Sequence, residues 1–153
     1  MSTDPEAIPI RVGLGVAIRT KSEHLAANLA NSGEIQLLIT RRRSDTVFPD
    51  SWEFPGGKAD DGEALEACVV RELREELGVE VELTDPLSPV SHDYEHASVI
   101  LYPWLCRLAP GSPAPRNLEV ADHRWIELAD LPRISLPPGN AKIVDEIMAR
   151  FRG

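Results

Sequence analysis

From Glu63 to Leu77 the chain carries neither glycine nor proline, many strong helix formers, and Gly78 directly after. That layout predicts one helix closed by a glycine at its C-terminus. At 100° per residue, Glu72, Glu75 and Glu76 fall within an arc of roughly 100° on one face. Val70, Leu73 and Leu77 gather on a different arc suited to a core. Carboxylates on adjacent turns repel one another unless cations sit among them. Hard oxygen ligands at this density suit Mg²⁺ or Mn²⁺, above all where a phosphate completes the coordination. Glu63, about two turns earlier, adds a fourth acid. Just before it, Pro55-Gly56-Gly57-Lys58 offers exposed backbone and one cation. Taken by itself, the run reads at least as well as a solvated acidic face in which Arg71 and Arg74 pair with nearby glutamates.

The 153 residues fit one domain, and 42% apolar with 27% charged residues is ordinary for a soluble globular chain. A net charge of −9 argues against a general nucleic-acid or anionic-membrane binder. No apolar run approaches the roughly 18 residues of a membrane span, and Met1–Ile10 lacks the layout of a signal peptide. A cytoplasmic protein is expected. Cys68 and Cys106 read as small buried residues in a reducing compartment.

Residues 1–9 read as a loose N-terminus and residues 10–153 as the single domain. Ile10–Ile18 and Glu34–Thr40 are predicted strands, with Gly13 and Gly15 marking a close backbone approach. Lys21–Ser32 reads as a connection. Ser51–Gly62 opens as a short strand and becomes a glycine-rich acidic loop. Val79–Leu83, His92–Leu108 and Arg124–Glu127 are further strands, with Pro103 suggesting an edge or bulge in the second. Asn140–Phe151 is an amphipathic helix with Ile143, Val144, Ile147, Met148 and Phe151 on one face. Strands mixed irregularly with helices imply an α+β fold, a mixed central sheet with flanking helices.

Two motif readings fail. Gly56-Gly57-Lys58 lacks the earlier glycine and the Ser/Thr of a P-loop, and Asp60-Asp61-Gly62-Glu63 lacks EF-hand spacing. The whole span fits better elsewhere. Gly57, five residues, Glu63, seven residues, then Arg71-Glu72-Leu73-Arg74-Glu75-Glu76-Leu77-Gly78-Val79 resembles the Nudix box at every defined position. Trp52-Glu53-Phe54-Pro55-Gly56-Gly57-Lys58 resembles the approach to that box in the MutT branch.

The resemblance implies an α/β/α sandwich and a hydrolase that cleaves nucleoside diphosphate derivatives with a divalent metal, Mg²⁺ or Mn²⁺. Carried over by position, Glu72, Glu75 and Glu76 are metal carboxylates and the Gly56 carbonyl a further ligand. Glu72 is the base candidate, Arg71 orients it, Glu63 supports the site, and Lys58 helps hold the phosphates. Glu119, six residues before Trp125, matches an outlying metal ligand or base of the MutT branch. Arg42 matches an arginine near the nucleotide; the run Arg41–Arg43 reads equally as a solvated strand end.

Leu136-Pro137-Pro138-Gly139-Asn140 resembles the MutT segment whose asparagine recognises an oxidised guanine. An amide side chain can meet a purine edge that presents both donor and acceptor. Asn140 also fits as the N-cap of the last helix. The chain departs from the branch in the extra residues around Lys21–Ser32 and in Ala97, where an arginine is expected, with His92 and His96 nearby. Mg²⁺ prefers oxygen, so these histidines read as surface or strand-end residues. Trp52, Trp104 and Trp125 read as sheet-packing residues.

The expected reaction is hydrolysis of a nucleoside triphosphate to monophosphate and pyrophosphate, with 8-oxo-dGTP the favoured substrate and nucleotide-pool sanitisation, hence DNA repair, the role. The expected partner is a small nucleotide, without stable nucleic-acid or membrane binding. Alternatives are the same chemistry on CTP, ADP-ribose or a dinucleoside polyphosphate, or a non-catalytic nucleotide-binding module. The sequence leaves monomer and homodimer equally open.

Overall fold

The computed structural model describes residues 8–20, 35–46, 50–95 and 97–151. Most of 1–9, the Lys21–Ser32 connection and His96 lie outside them. In chain order the elements are β1 (Ile10–Thr20), β2 (Ile35–Arg41), β3 (Trp52–Glu53), β4 (Gly56–Lys58), α1 (Leu65–Leu77), β5 (Val81–Pro86), β6 (Val90–Tyr94), β7 (Ala97–Leu108), β8 (Asp122–Glu127) and α2 (Ala141–Arg150). A short 3₁₀ segment, Leu128–Arg133, follows β8.

The sheet is mixed, as the sequence implies. β1 pairs parallel with β7 from Ile10↔Val99 to Ala17↔Cys106. Its other edge is divided: Val12–Leu14 pair antiparallel with β4, and Ile18–Thr20 with β2. β2 then carries β8 and β3. Strand β1 therefore opens like a fork between the β4 loop and the β2–β3–β8 wing.

Side-chain alternation assigns the two faces. Ala17, Leu38 and Cys106 join Val69, Leu73 and Leu77 of α1 in one cluster. Their neighbours Val16, Leu37, Ile39 and Leu105 join Ile143, Ile147 and Phe151, at the α2 end, in the other. One helix on each face makes the expected α/β/α sandwich. Trp52, Trp104 and Trp125 pack at the margins of these clusters. Both cysteines are buried and free, as expected.

Three details correct the sequence reading. His92–Leu108 is a hairpin of β6 and β7, paired from Val90↔Leu101 to Tyr94↔Ala97. Pro103 sits in an interior strand, not at an edge, while the β5–β7 register does shift nearby, between Leu83↔Cys106 and Asp85↔Leu105, in keeping with the bulge alternative. The Pro103 carbonyl accepts Leu87 N at 2.9 Å on the side away from β1. The missing N–H faces that same side, where β6 has ended at Leu101 and β5 begins only at Trp104, so no ladder bond is lost. The glycine-rich segment is partly strand, because Gly56–Lys58 pairs with β1, and α1 begins at Leu65, leaving Glu63 ahead of it.

The glycines of β1 explain how near α1 lies. A Cβ on Gly15 would stand 2.8 Å from Leu73 Cδ2, and one on Gly13 3.0 Å from Val69 Cγ2. Leu73 is fully buried and has no room to turn away. Gly15→Ala is expected to overpack this contact by about 1–3 kcal/mol and lower Tm by roughly 3–10 °C, read by thermal unfolding. An unchanged Tm would mean that α1 can ride further from the sheet.

Candidate active site

The close approach of α1 carries its acids onto the backbone of β4. Gly57 faces the helix, and a Cβ there would stand 2.6 Å from Glu72 Cδ. Gly56 has φ +153°, and a Cβ on it would meet the Gly13 carbonyl oxygen at 2.0 Å, so only glycine fits. Its N–H donates to Glu76 Oε2 at 2.9 Å.

Arg71 is the cation among these carboxylates. Its Nε donates to Glu63 Oε2 at 2.8 Å and its Nη2 to Glu63 Oε1 at 2.9 Å. Nη1 donates to Glu72 Oε1 at 3.1 Å and to Glu75 Oε2 at 3.2 Å, while Nη2 also reaches the Lys58 carbonyl at 3.2 Å. The expected pairing of Arg74 is present too, but with Glu80 beyond the helix, at 2.6 Å. Among the described residues neither arginine pairs with Glu76.

Glu119 arrives from the segment before β8. Leu118 N and Glu119 N both donate to the Glu76 carbonyl, at 3.0 and 3.1 Å, and Arg116 N donates to the Leu77 carbonyl at 2.9 Å. The last turn of α1, whose carbonyls lack intrahelical partners, is thus closed by the chain that carries Glu119. The Glu119 charge contributes to the field at both Glu72 and Glu76.

The site divides electrostatically. Hydrogen bonds from Arg71 and Asp60 N hold the Glu63 carboxyl down to about 2. Burial, reinforced by the charges of Glu75 and Glu119, raises Glu72 against the pull of Arg71. Burial raises Glu76 well above the usual carboxylate range, with Glu72, Glu53 and Glu119 adding to it against the Gly56 N–H. Glu76 therefore lacks a compensating cation, and Glu72 shares Arg71 with Glu63 and Glu75. The donor set (Glu72, Glu75, Glu76, Glu119 and the Gly56 backbone) is all oxygen, which fits a small hard divalent ion. Among the described residues no three such side chains already converge at ligand spacing; Arg71 and Gly56 N–H engage them instead.

A NUDIX domain model matches residues 23–147. The chain belongs to the Nudix hydrolase family, in its MutT-like branch. It is 28% identical over 127 residues to the 8-oxo-dGTP diphosphatase of Escherichia coli, covering 83% of this chain and 97% of that protein. Identity to the 8-oxo-dGTP diphosphatase of Haemophilus influenzae is 30% over 124 residues, covering 81% and 90%. The crystal structure of a MutT Nudix hydrolase from Burkholderia pseudomallei superposes with a TM-score of 0.73 at 22% identity, covering 92% and 99%. Nudix hydrolases generally use divalent metal ions and act on small nucleotide substrates.

Other expected site residues of this Nudix hydrolase lie further out. Lys58 has an exposed side chain on β4 and pairs with Val12. Arg42 Nη1 donates to both Glu53 oxygens, at 3.0 and 3.1 Å. Arg43 pairs with Asp45 on the exposed surface, and Arg41 lies over the Trp52 ring. Asn140 stands at the N-cap position of α2 but makes no side-chain cap bond, although it is only 6% exposed. The capping alternative therefore fails for its amide. Sequence reasoning passed over Glu53, an acid raised by burial and facing Arg42. Its signal was a lone charge between Trp52 and Phe54, in a strand leading to the glycine pair.

The sign of the pH dependence follows. For Glu72, Glu76 and Glu53 the folded value is raised, so protons bind the native state first and acidification from pH 7 stabilises it. Glu63 acts oppositely: its contribution is present above the unfolded value of about 4.3 and is lost as pH falls towards about 2. Without divalent metal, Tm is expected to rise from pH 7.5 to about 5 and fall below about 4. Glu76→Gln in EDTA at pH 7.5 is expected to raise Tm by about 3–6 °C, on the scale of 1–2 kcal/mol, and to flatten the rise. A lower Tm in that variant would contradict the buried-charge account.

Proposed function

We propose that this Nudix hydrolase converts a nucleoside triphosphate to the monophosphate and pyrophosphate with Mg²⁺ or Mn²⁺, 8-oxo-dGTP being the preferred substrate. The observation that carries the reading is the pair of acids Glu72 and Glu76 seated on the Gly56-Gly57 backbone, Glu72 sharing Arg71 with two other carboxylates and Glu76 without a cation. Such an arrangement destabilises the protein unless a cation joins it. We assign Glu72, Glu75, Glu76, Glu119 and the Gly56 carbonyl to holding the ion. When bound, it neutralises polyphosphate charge and lowers the pKa of attacking water.

The chain's own groups supply the rest. Arg71 holds Glu72 and Glu75 on one side and Glu63 on the other, fixing the first two against rotation. Burial that raises Glu72 makes its carboxylate a stronger base, fit to take the proton of the attacking water at Oε2, since Arg71 occupies Oε1. A water O–P bond forms and the bridge between the α- and β-phosphates breaks, the electron pair leaving with the departing phosphate oxygen. Lys58 meets phosphate charge. Arg42 and Asn140 line the nucleoside side, where Tyr94 Oη donates to the Pro138 carbonyl at 3.3 Å. A buried amide without a capping bond suits a purine edge that offers both donor and acceptor. We assign the protein to the cytoplasm as a sanitiser of the nucleotide pool, protecting DNA from oxidised precursors.

The test is a substrate panel of 8-oxo-dGTP, dGTP, CTP, ADP-ribose and a dinucleoside polyphosphate, scored by kcat/KM with Mg²⁺. 8-oxo-dGTP is expected to lead, with turnover abolished by EDTA. Glu75→Gln and Glu76→Gln are each expected to lower kcat by at least about 100-fold with the fold intact. Asn140→Ala is expected to narrow the margin between 8-oxo-dGTP and dGTP. Turnover that survives metal removal would end the mechanism. A different leading substrate would end the base assignment alone.

A further inference from the structure

Glu53 is spent in an unusual way. β3 pairs with β2 at Thr40↔Glu53 and Arg41↔Trp52, and Arg42 N donates to the Ser51 carbonyl at 2.9 Å, continuing the same ladder. The backbone thus fixes Arg42 and Glu53 diagonally on one face of the sheet. Both side chains are mostly buried, 29% and 21% exposed. Guanidinium–carboxylate pairs are frequently forks, with two nitrogens on two oxygens. Here both Glu53 oxygens share one nitrogen, Nη1. Arg42 Nε is buried without any acceptor. Among the described residues Nη2 makes no hydrogen bond, and unlike Nε it is not shut away from solvent.

A buried donor left unmade costs about 1–3 kcal/mol, so this pair is poorly built as a structural brace. It is well built as a mount. Glu53 grips one corner of a planar cation whose stem is packed in place, and the Nη2 corner is left for an oxygen from outside the chain. Glu53 also lies between two halves of the site, close enough to influence both Glu76 on the metal side and Tyr94 on the nucleoside side.

We propose that Glu53 is a positioning residue that holds Arg42 so that its Nη2 N–H groups donate to an oxygen acceptor of the bound nucleotide. The proposal rests on the nucleotide-hydrolase reading above and adds to it the residue that aims the arginine. Glu53 touches no reacting atom. Its effect reaches the substrate through Arg42, and its removal acts on substrate affinity ahead of turnover.

The experiment is a double-mutant cycle on the full chain: wild type, Glu53→Ala, Arg42→Ala and the double variant, with 8-oxo-dGTP and saturating Mg²⁺. Glu53→Ala is expected to raise KM about tenfold with a much smaller loss in kcat. The double variant should be no worse than Arg42→Ala alone, since one residue acts through the other. Glu53→Gln, which keeps an oxygen for Nη1, should recover part of the affinity and serves if the alanine variant does not fold. Effects that multiply across the cycle, or a loss confined to kcat, would each overturn the proposal. Inhibition by tripolyphosphate separates the acceptors: a weakened inhibition constant in Glu53→Ala identifies a phosphate oxygen, an unchanged one an oxygen of the nucleoside. A wild-type protein that turns over no nucleotide would overturn the functional reading; active wild type with a multiplicative cycle overturns only the role of Glu53.

Discussion

The distance between α1 and the strands beneath it governs the site. Gly13, Gly15 and Gly57 remove side chains where the helix crosses, and the space they free is taken by Val69, Leu73 and the Glu72 carboxylate. The apolar contacts bring the helix down, and the acids are carried with it onto backbone N–H and carbonyl groups. A larger residue at any of these positions would lift the helix and loosen the acids together. Packing and chemistry therefore share one geometric constraint, which is why the glycine pair and the glutamates occur as one continuous block of sequence.

That block was legible because its information is local. Helical spacing alone places Glu72, Glu75 and Glu76 on one face, and the structure keeps them there at the sheet edge. The close approach marked by Gly13 and Gly15 and the apolar face of α2 were equally readable, since each follows from a period or from a missing side chain. What escaped was non-local. The hairpin of β6 and β7 hid inside one apolar run because turn chemistry at Glu95 is weak, with no glycine or asparagine there to announce a reversal. The edge alternative for Pro103 failed because sequence cannot show that its missing N–H would face a gap between two ladders. Glu53 was passed over because its meaning depends on a cross-strand neighbour eleven residues away and a helix residue further on.

The acidic run could have been an ordinary solvated face, and the pattern of partners separates the two accounts. Arg74 behaves as a surface residue, pairing with Glu80 where both are well exposed. Arg71 instead satisfies Glu63 fully and Glu72 and Glu75 in part, leaving Glu76 to a single backbone N–H. A face selected for solubility would turn its acids outward. This one turns Glu76 inward, where ionisation is opposed by burial and by three neighbouring acids.

Such a centre has to be held rigid in the absence of its ion, because mutual repulsion would otherwise spread the acids. Three ties oppose that spreading, and each comes from a different part of the chain. Arg71 links the helix to the loop through Glu63 and the Lys58 carbonyl. Gly56 N–H links β4 to Glu76. The N–H groups of Leu118 and Glu119 link the segment before β8 to the last turn of the helix. Because the third tie is made by backbone, it fixes the position of Glu119 whatever charge its side chain carries. The acids can then change protonation or partner without losing their spacing, a condition for closing on a divalent cation.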